Sequence, residues 1–187
     1  ALLRTELWAT RNYWMGLELG KKFSSMSPET GSFSNSSFSL NQSNFKLKLG
    51  YKYLPMGFFY GPQVDFYTGY ASTTYGLDNL ATDGVVETKL KGMLFGTRGS
   101  MPIKKLLRAH LDLGFILSPS YSEETTVFGS DESTSAWSFE LGGSYSYTPI
   151  MNFEAFFSYQ NGKASFSGGR KVSFKDSALN AGMSFNY

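Results

Sequence analysis

The sequence predicts an all-β protein: an eight-stranded antiparallel up-and-down transmembrane β-barrel with a filled polar lumen. Three observations carry this. Apolar and polar residues alternate with period two in eight successive segments. The connections between segments are alternately short and long. Charges gather on one face of the segments, in equal numbers of each sign.

The segments follow in order. Tyr13, Met15, Leu17 and Leu19 oppose Asn12, Trp14, Gly16, Glu18 and Gly20. Phe45, Leu47, Leu49, Tyr51 and Tyr53 oppose Asn44, Lys46, Lys48, Gly50 and Lys52. Phe58, Tyr60, Val64, Phe66 and Tyr70 oppose Gly61, Gln63, Asp65, Tyr67 and Gly69. In the fourth, Val86, Thr88, Leu90, Gly92 and Leu94 read as the outer face, against Glu87, Lys89, Lys91, Met93 and Phe95. Leu107, Ala109, Leu111, Leu113 and Phe115 then oppose Arg108, His110, Asp112 and Gly114. Trp137, Phe139, Leu141, Tyr145 and Tyr147 oppose Ser138, Glu140, Gly142 and Ser144. Phe153, Ala155, Phe157 and Tyr159 oppose Glu154, Phe156, Ser158 and Gln160. Last, Leu179, Ala181, Met183, Phe185 and Tyr187 oppose Asn180, Gly182 and Ser184. Each segment is near the ~9–11 residues that cross a bilayer as a tilted strand.

The connections at Leu54-Pro55-Met56-Gly57, Arg98 to Lys105 and Thr148 to Asn152 are short and hold Pro or Gly, as turns do. The stretches Ser24–Ser37, Ala71–Gly84, Pro119–Ser135 and Asn161–Lys171 are longer and rich in Ser, Thr, Gly, Asn and Asp. Short turns on one side and longer loops on the other are the rhythm of a membrane barrel. The 187 residues form a single domain, 1–187, in which 1–10 are an N-terminal extension or the start of the first strand. The opening Ala1-Leu2-Leu3-Arg4 lacks the basic region and cleavage site of a signal peptide, so the chain reads as a mature form.

Composition agrees. Charged residues make up 17%, against about 25% in an ordinary soluble domain, and aromatics match them at 17%. No run reaches the ~18 apolar residues of a membrane helix, so a meeting with lipid falls to alternating strands. The absence of Cys excludes disulfides and thiolate metal sites. A net charge of +2 is too small to argue for nucleic acid.

The charges decide which face is inside. Lys46, Lys48, Lys52, Lys89, Lys91 and Arg108 share the polar faces with Glu18, Asp65, Glu87, Asp112, Glu140 and Glu154. Six of each sign can pair into a neutral lumen network. Burying so many ions in a soluble core costs several kcal/mol per ion. A Lys or Arg facing lipid at mid-bilayer costs about 2–4 kcal/mol, so in a membrane barrel charges turn inward. Tyr and Phe concentrate beside the turns, as in Tyr51, Tyr53, Phe58 and Tyr60, where an interfacial girdle is expected.

The chain ends Leu179-x-Ala181-x-Met183-x-Phe185-x-Tyr187. This resembles the terminal-strand signature of Gram-negative outer-membrane proteins, with Phe185 and Tyr187 as the signal read by the barrel-assembly machinery. The whole chain resembles the small eight-stranded barrels of the OmpA transmembrane-domain and OmpX type, without a peptidoglycan-binding domain. The resemblance implies the bacterial outer membrane as location, with its lipid and the assembly machinery as partners.

His110 is the one histidine, placed inside near a short turn, and reads as a hydrogen-bonded lumen residue rather than a catalytic one. Trp14, Tyr67, Phe95 and Phe156 would help fill a lumen that eight strands leave only wide enough for side chains. A closed or barely conducting barrel follows. Glu123, Glu124, Asp131 and Glu132 lack metal-site spacing and read as a solvated loop. Thr88, Gly92 and Gly96, with Gly143 as a weaker addition, form a small-residue stripe that would suit a contact between protomers. The function expected is a structural or surface-interaction barrel, not an enzyme, with no cofactor. Two other readings stay open: an oligomer enclosing lipid or a pore between copies, and a lipid-modifying enzyme or narrow channel.

Overall fold

The computed structural model describes residues 2–26, 38–78, 87–123, 131–148, 151–166 and 171–185. Nine strands follow in chain order: β1 Leu2–Trp8, β2 Tyr13–Met26, β3 Phe38–Tyr53, β4 Gln63–Asp78, β5 Glu87–Lys104, β6 Leu107–Glu123, β7 Asp131–Ser146, β8 Met151–Phe166 and β9 Lys171–Phe185. Each pairs antiparallel with the next, and the single sheet curls into a half-barrel. Among the described residues no ladder joins β9 to β1.

Strands β2 to β9 correspond to the eight alternating segments. The ninth, β1, is formed by the opening residues, which pair with β2 from Leu2↔Gly20 to Trp8↔Trp14. It is only 7 residues long, and its turn, Ala9–Asn12, holds neither Gly nor Pro. That turn is closed by Thr10, whose hydroxyl accepts hydrogen bonds from the Asn12 and Tyr13 amides at 3.4 and 3.2 Å. A side-chain oxygen replaces the usual turn residues here, which hides the hairpin from a composition-based reading.

The other strands run to 14–18 residues, longer than a bilayer crossing needs. Pairing continues into the stretch Ala71–Gly84 that reads as a loop, where Thr73–Asp78 pair with Ser39–Asn44. At the opposite end the third segment starts late. Phe58 and Tyr60 belong to the turn Leu54–Pro62, and β4 begins at Gln63. Gly57 at the tip has φ +74°, which glycine adopts freely. Likewise Arg98–Lys104 continue β5 rather than turning, and the turn is Lys105–Leu106. Pro102 is accommodated beside a register shift between Pro102 and Lys104.

The largest correction concerns β5. Leu90 and Leu94 are 0% and 3% exposed and face the concave side, whereas Lys89, Lys91, Met93 and Phe95 are exposed on the convex side. The face assigned to this segment from its alternation is therefore reversed. The reason is a zoning of the sheet. Toward the short turns the concave face is charged and the convex face aromatic. Toward the long connections the concave face of β4 to β8 is largely apolar, with Ala71, Leu90, Leu94, Ile116, Ala136 and Ala164 buried beside Thr73, while on β2 and β3 it stays polar with Lys22 and Gln42. The convex positions beside Ala71 and Leu90 are Ser72, Thr74, Lys89 and Lys91. The fourth segment lies in this second zone, where the sense of the alternation inverts.

The rows of paired residues also climb around the curl. Asp176 shares a row with Gln160, Ser138, Gly114, Gly96, Tyr67, Gly50 and Trp14. Its side chain nevertheless meets Lys22, further along β2 than Trp14, at 2.5 Å. This stagger is the strand tilt that a curled sheet requires. It brings the apolar concave residues of β4 to β8 above the charged ones of β1 to β3.

Candidate functional site: the concave charge network

Alternation along β1, β2, β3, β5, β6 and β7 points their charged residues into one interior. Glu18 on β2 receives Lys46 at 2.9 Å, Arg4 at 3.2 Å and Lys48 at 3.7 Å. Arg4 reaches across to β7, donating to Glu140 at 3.1 and 2.9 Å, and its guanidinium lies 5.1 Å from the Phe156 ring centre. Glu140 also contacts His110 Nε2 at 3.0 Å. From the other side of Glu18, Lys48 approaches Asp112 at 4.0 Å and lies over Tyr67 at 4.8 Å. Asp112 accepts from the Tyr67 hydroxyl and from Arg98 Nε at 3.0 Å, and Arg98 reaches Glu6 of β1 at 2.9 Å. One connected network thus joins seven strands from β1 to β7.

Two smaller pairs flank it. Lys52 lies 3.5 Å from Asp65, donates to Gln63 at 3.1 Å and sits over the Trp8 ring at 4.4 Å. Lys22 and Gln42 both donate to Asp176, at 2.5 and 3.4 Å. Neighbouring rings complete the filling. Trp14 packs 6.3 Å from Tyr67 and lies so close over Gly50 that a Cβ there would penetrate the indole.

Of the residues expected in the network, Glu18, Lys46, Lys48, Lys52, Asp65, Asp112 and Glu140 are brought together. Glu154 takes a concave position, paired with Ser144 and Gly182. Arg108 is concave too but answers to the turn instead of a carboxylate. It donates to Ser100 Oγ at 3.0 and 3.1 Å and to the Gly61 carbonyl at 3.0 Å, with Phe59 and Tyr60 carbonyls at 3.4 and 3.5 Å. Lys89 and Lys91 are corrected to the convex face, and Phe95 leaves the interior with them. Glu87, paired with Gly76, takes a convex register position with them, and Thr88, paired with Tyr75, a concave one, although the side chains of both lie outside those described.

Arg4, Glu6, Lys22, Arg98 and Asp176 are concave residues that the sequence reading passed over. Arg4-x-Glu6-x-Trp8 does alternate, and counting back from Arg98 through Gly96 and Leu94 would have given the true face of β5. With them the described interior holds Arg4, Lys22, Lys46, Lys48, Lys52, Arg98 and Arg108 against Glu6, Glu18, Asp65, Asp112, Glu140, Glu154 and Asp176. Seven of each sign keep the balance, with a partly different membership.

The small-residue stripe also turns inward. A Cβ on Gly92 would stand 2.6 Å from Ile116 Cγ2 and 3.0 Å from Pro119 Cα, and one on Gly96 would collide with Tyr67. Opposite Gly92, β6 bulges, since Lys91 pairs with Ser120 and Met93 with Leu117. Glycine serves close packing on the concave side here, so these positions offer no outer surface to a second protomer.

On the convex side rings pair near the short turns, Tyr13 with Tyr51 at 5.3 Å and Tyr147 with Phe153 at 5.9 Å, and again midway along β7 and β8, where Trp137 meets Tyr159 at 5.3 Å. In β9, Leu179 and Met183 are exposed. Phe185 ends the strand paired with Met151, and Tyr187 lies outside the described residues. The side chains of Glu123, Glu124, Asp131 and Glu132 are likewise not described. Among the described residues no cluster of His, Cys, Asp or Glu could hold a metal ion.

No helix among the described residues is long and apolar enough to cross a membrane, which does not bear on crossing by strands. No protein-family model matches the chain, and no curated protein is similar to it.

Proposed function

We propose that the chain is a non-enzymatic β-barrel of the bacterial outer membrane, acting through its loops and outer wall, with a closed or barely conducting lumen. The observation that carries this is the division of charge. Every carboxylate whose side chain is described lies on the concave face among arginines and lysines, with Asp78 and Glu87 taking convex register positions only at the long-connection end, while the convex face toward the short turns carries exposed Leu, Met, Phe, Tyr and Trp. In water that wall is a large exposed apolar surface. In lipid it is the favourable solvent contact, and each inward charge avoids the penalty of facing acyl chains.

Closure follows from the same medium. Unpaired strand edges in hydrocarbon leave backbone groups unsatisfied at several kcal/mol each. Strands β2 and β9 run in opposite directions, and β1 covers the edge of β2 only up to Gly20. Above it, the Lys22–Asp176 contact already links β2 to β9. An eight-stranded closure between β2 and β9 at that level, with β1 set into the lower seam, satisfies both edges. The ion pairs and rings inside leave the interior filled. The terminal strand with Phe185 is the element offered to the assembly machinery.

The test is reconstitution. The protein should insert into phosphatidylcholine vesicles, gain protease resistance and show a heat-dependent shift in electrophoretic mobility. In planar bilayers it should give no sustained large conductance steps. A chain that stays monodisperse in buffer without detergent would overturn the membrane reading, and sustained large steps would overturn the closed lumen.

A further inference from the structure

The short-turn end of the sheet carries charge of a single sign, and this is already a property of its sequence. The connections 9–12, 54–62, 105–106 and 147–150 contain Arg11 and Lys105 and no Asp or Glu. Lys104 adjoins them as the last residue of β5. Arg11, Lys104 and Lys105 are all exposed. The carboxylates closest to these turns along the strands, Asp65 and Glu154, take concave positions, Asp65 at 3.5 Å from Lys52.

The three cations stand beside the rings of the same end. Arg11 precedes Tyr13 by two residues, and Tyr13 meets Tyr51 at 5.3 Å on the convex wall. Lys104 pairs with Leu107, whose partner on β7 is Tyr145, and the Leu106 carbonyl accepts from the Ser146 amide at 2.8 Å. Each cation is thus within two residues of a convex ring, about 7 Å along a strand. A long basic side chain at such a place reaches outward past the rings with its charge. The turn Leu54–Pro62 adds apolar groups at this end. Its backbone is fixed at two points, by Arg11 at the Gly57 carbonyl and by Arg108 at the Gly61 carbonyl. Met56, Phe58 and Tyr60, set around those points, are exposed. The Arg11 guanidinium lies 5.8 Å from the Phe59 ring centre, so one cation is held against this turn in advance.

We propose that this rim docks on anionic phospholipid headgroups of the leaflet it faces. Arg11, Lys104 and Lys105 meet the phosphates, and Met56, Phe58 and Tyr60 enter the layer below them. The proposal rests on the membrane reading above and adds a lipid class to it. Cations without rings would make a solvated rim, and rings without cations would not distinguish one headgroup from another. Together at one level they complement an anionic amphiphile, as the two faces of an interfacial element do. A soluble anion would use the cations but leave the exposed apolar groups in water, which favours the lipid as the occupant.

The experiment uses the whole chain folded in micelles, with lipid binding read by native mass spectrometry and folding checked by the heat-dependent mobility shift. The probes are dioleoyl phosphatidylglycerol and dioleoyl phosphatidylcholine, which share their acyl chains, with glycerol phosphate as soluble competitor. Phosphatidylglycerol should bind at least tenfold tighter than phosphatidylcholine and resist equimolar glycerol phosphate. The double variant Lys104→Gln/Lys105→Gln should weaken it by about fivefold per lysine and leave phosphatidylcholine within twofold. Arg11 is kept because it also holds the turn. Lys163→Gln/Lys175→Gln, an equal charge change toward the other end, should leave phosphatidylglycerol binding within twofold. Equal binding of the two lipids, equal loss in both variants, or displacement by equimolar glycerol phosphate would each overturn the docking rim while leaving the barrel reading intact. Failure of the folded chain to insert into phosphatidylcholine vesicles would remove both.

Discussion

Arg4 and Glu140 stand 136 residues apart in sequence and meet through two hydrogen bonds of 3.1 and 2.9 Å, joining the first strand to the seventh across the concave face. The pair is bidentate, the strongest form an arginine–carboxylate contact takes. Arg4 also touches Glu18 at 3.2 Å, so one side chain of the short β1 holds two carboxylates from opposite walls. It follows that β1 contributes to the interior out of proportion to its length. Replacing Arg4 by Met should cost about 3 kcal/mol, because two largely desolvated carboxylates lose a partner. The double change Arg4→Met/Glu140→Met should cost less than the sum of the single changes. Urea unfolding in vesicles measures both, and simple additivity would show that the contact carries no coupling.

Gly50 has a separate role, as the floor on which Trp14 lies. A Cβ at Gly50 would fall inside the indole, whereas one at Gly99 would meet nothing within 4 Å. Gly50→Ala should therefore destabilise by about 1–3 kcal/mol through overpacking, and Gly99→Ala should stay within about 0.5 kcal/mol. Equal effects in the same unfolding assay would deny the close approach of Trp14 to β3.

The orientation of β5 can be read residue by residue. Lys89→Cys should react readily with a water-soluble maleimide on the folded protein, since Lys89 is exposed on the convex wall. Leu90→Cys, at a position 0% exposed, should react at least tenfold more slowly until urea unfolds the chain. The opposite order of rates would restore the face expected from the sequence pattern.

That pattern made much of the fold legible and failed at definable places. Where concave residues are charged and convex ones apolar, as at Glu18/Leu19 or Asp112/Leu113, alternation alone gives strand and face. Near Leu90 the concave side is apolar and the convex side holds Lys89 and Lys91, so the same period carries the opposite meaning. Periodicity specifies which residues share a face, not which face is inside. Arg4 and Glu6 were hidden differently. Seven residues ended by a Thr10-based turn give too short a signal to separate a strand from an extension. The inward glycines failed for a third reason. Nothing in the sequence shows that Tyr67 and Ile116 lean over Gly96 and Gly92, since those neighbours come from other strands.

Arg108 supports the last prediction. Its guanidinium donates to the Gly61 carbonyl and faces those of Phe59 and Tyr60, and Gln63 also donates to the Phe59 carbonyl. Arg11 donates to the Gly57 carbonyl, and the Trp8 and Phe59 rings meet edge-on at 5.8 Å. The turn Leu54–Pro62 is thereby fixed to β1, β4 and β6 by its backbone, although Phe58, Phe59 and Tyr60 are exposed. A carbonyl held by an arginine loses its donor when the arginine is shortened, and a turn with fewer fixed backbone groups opens locally more often. Arg108→Ala should thus increase chymotrypsin cleavage at Phe58–Tyr60 several-fold in the folded protein, with global unfolding by urea shifted much less. Arg108→Lys, which keeps the charge but not the planar fork, should fall between the two. Cleavage unchanged in both variants would mean that the turn is held by its ring contacts alone.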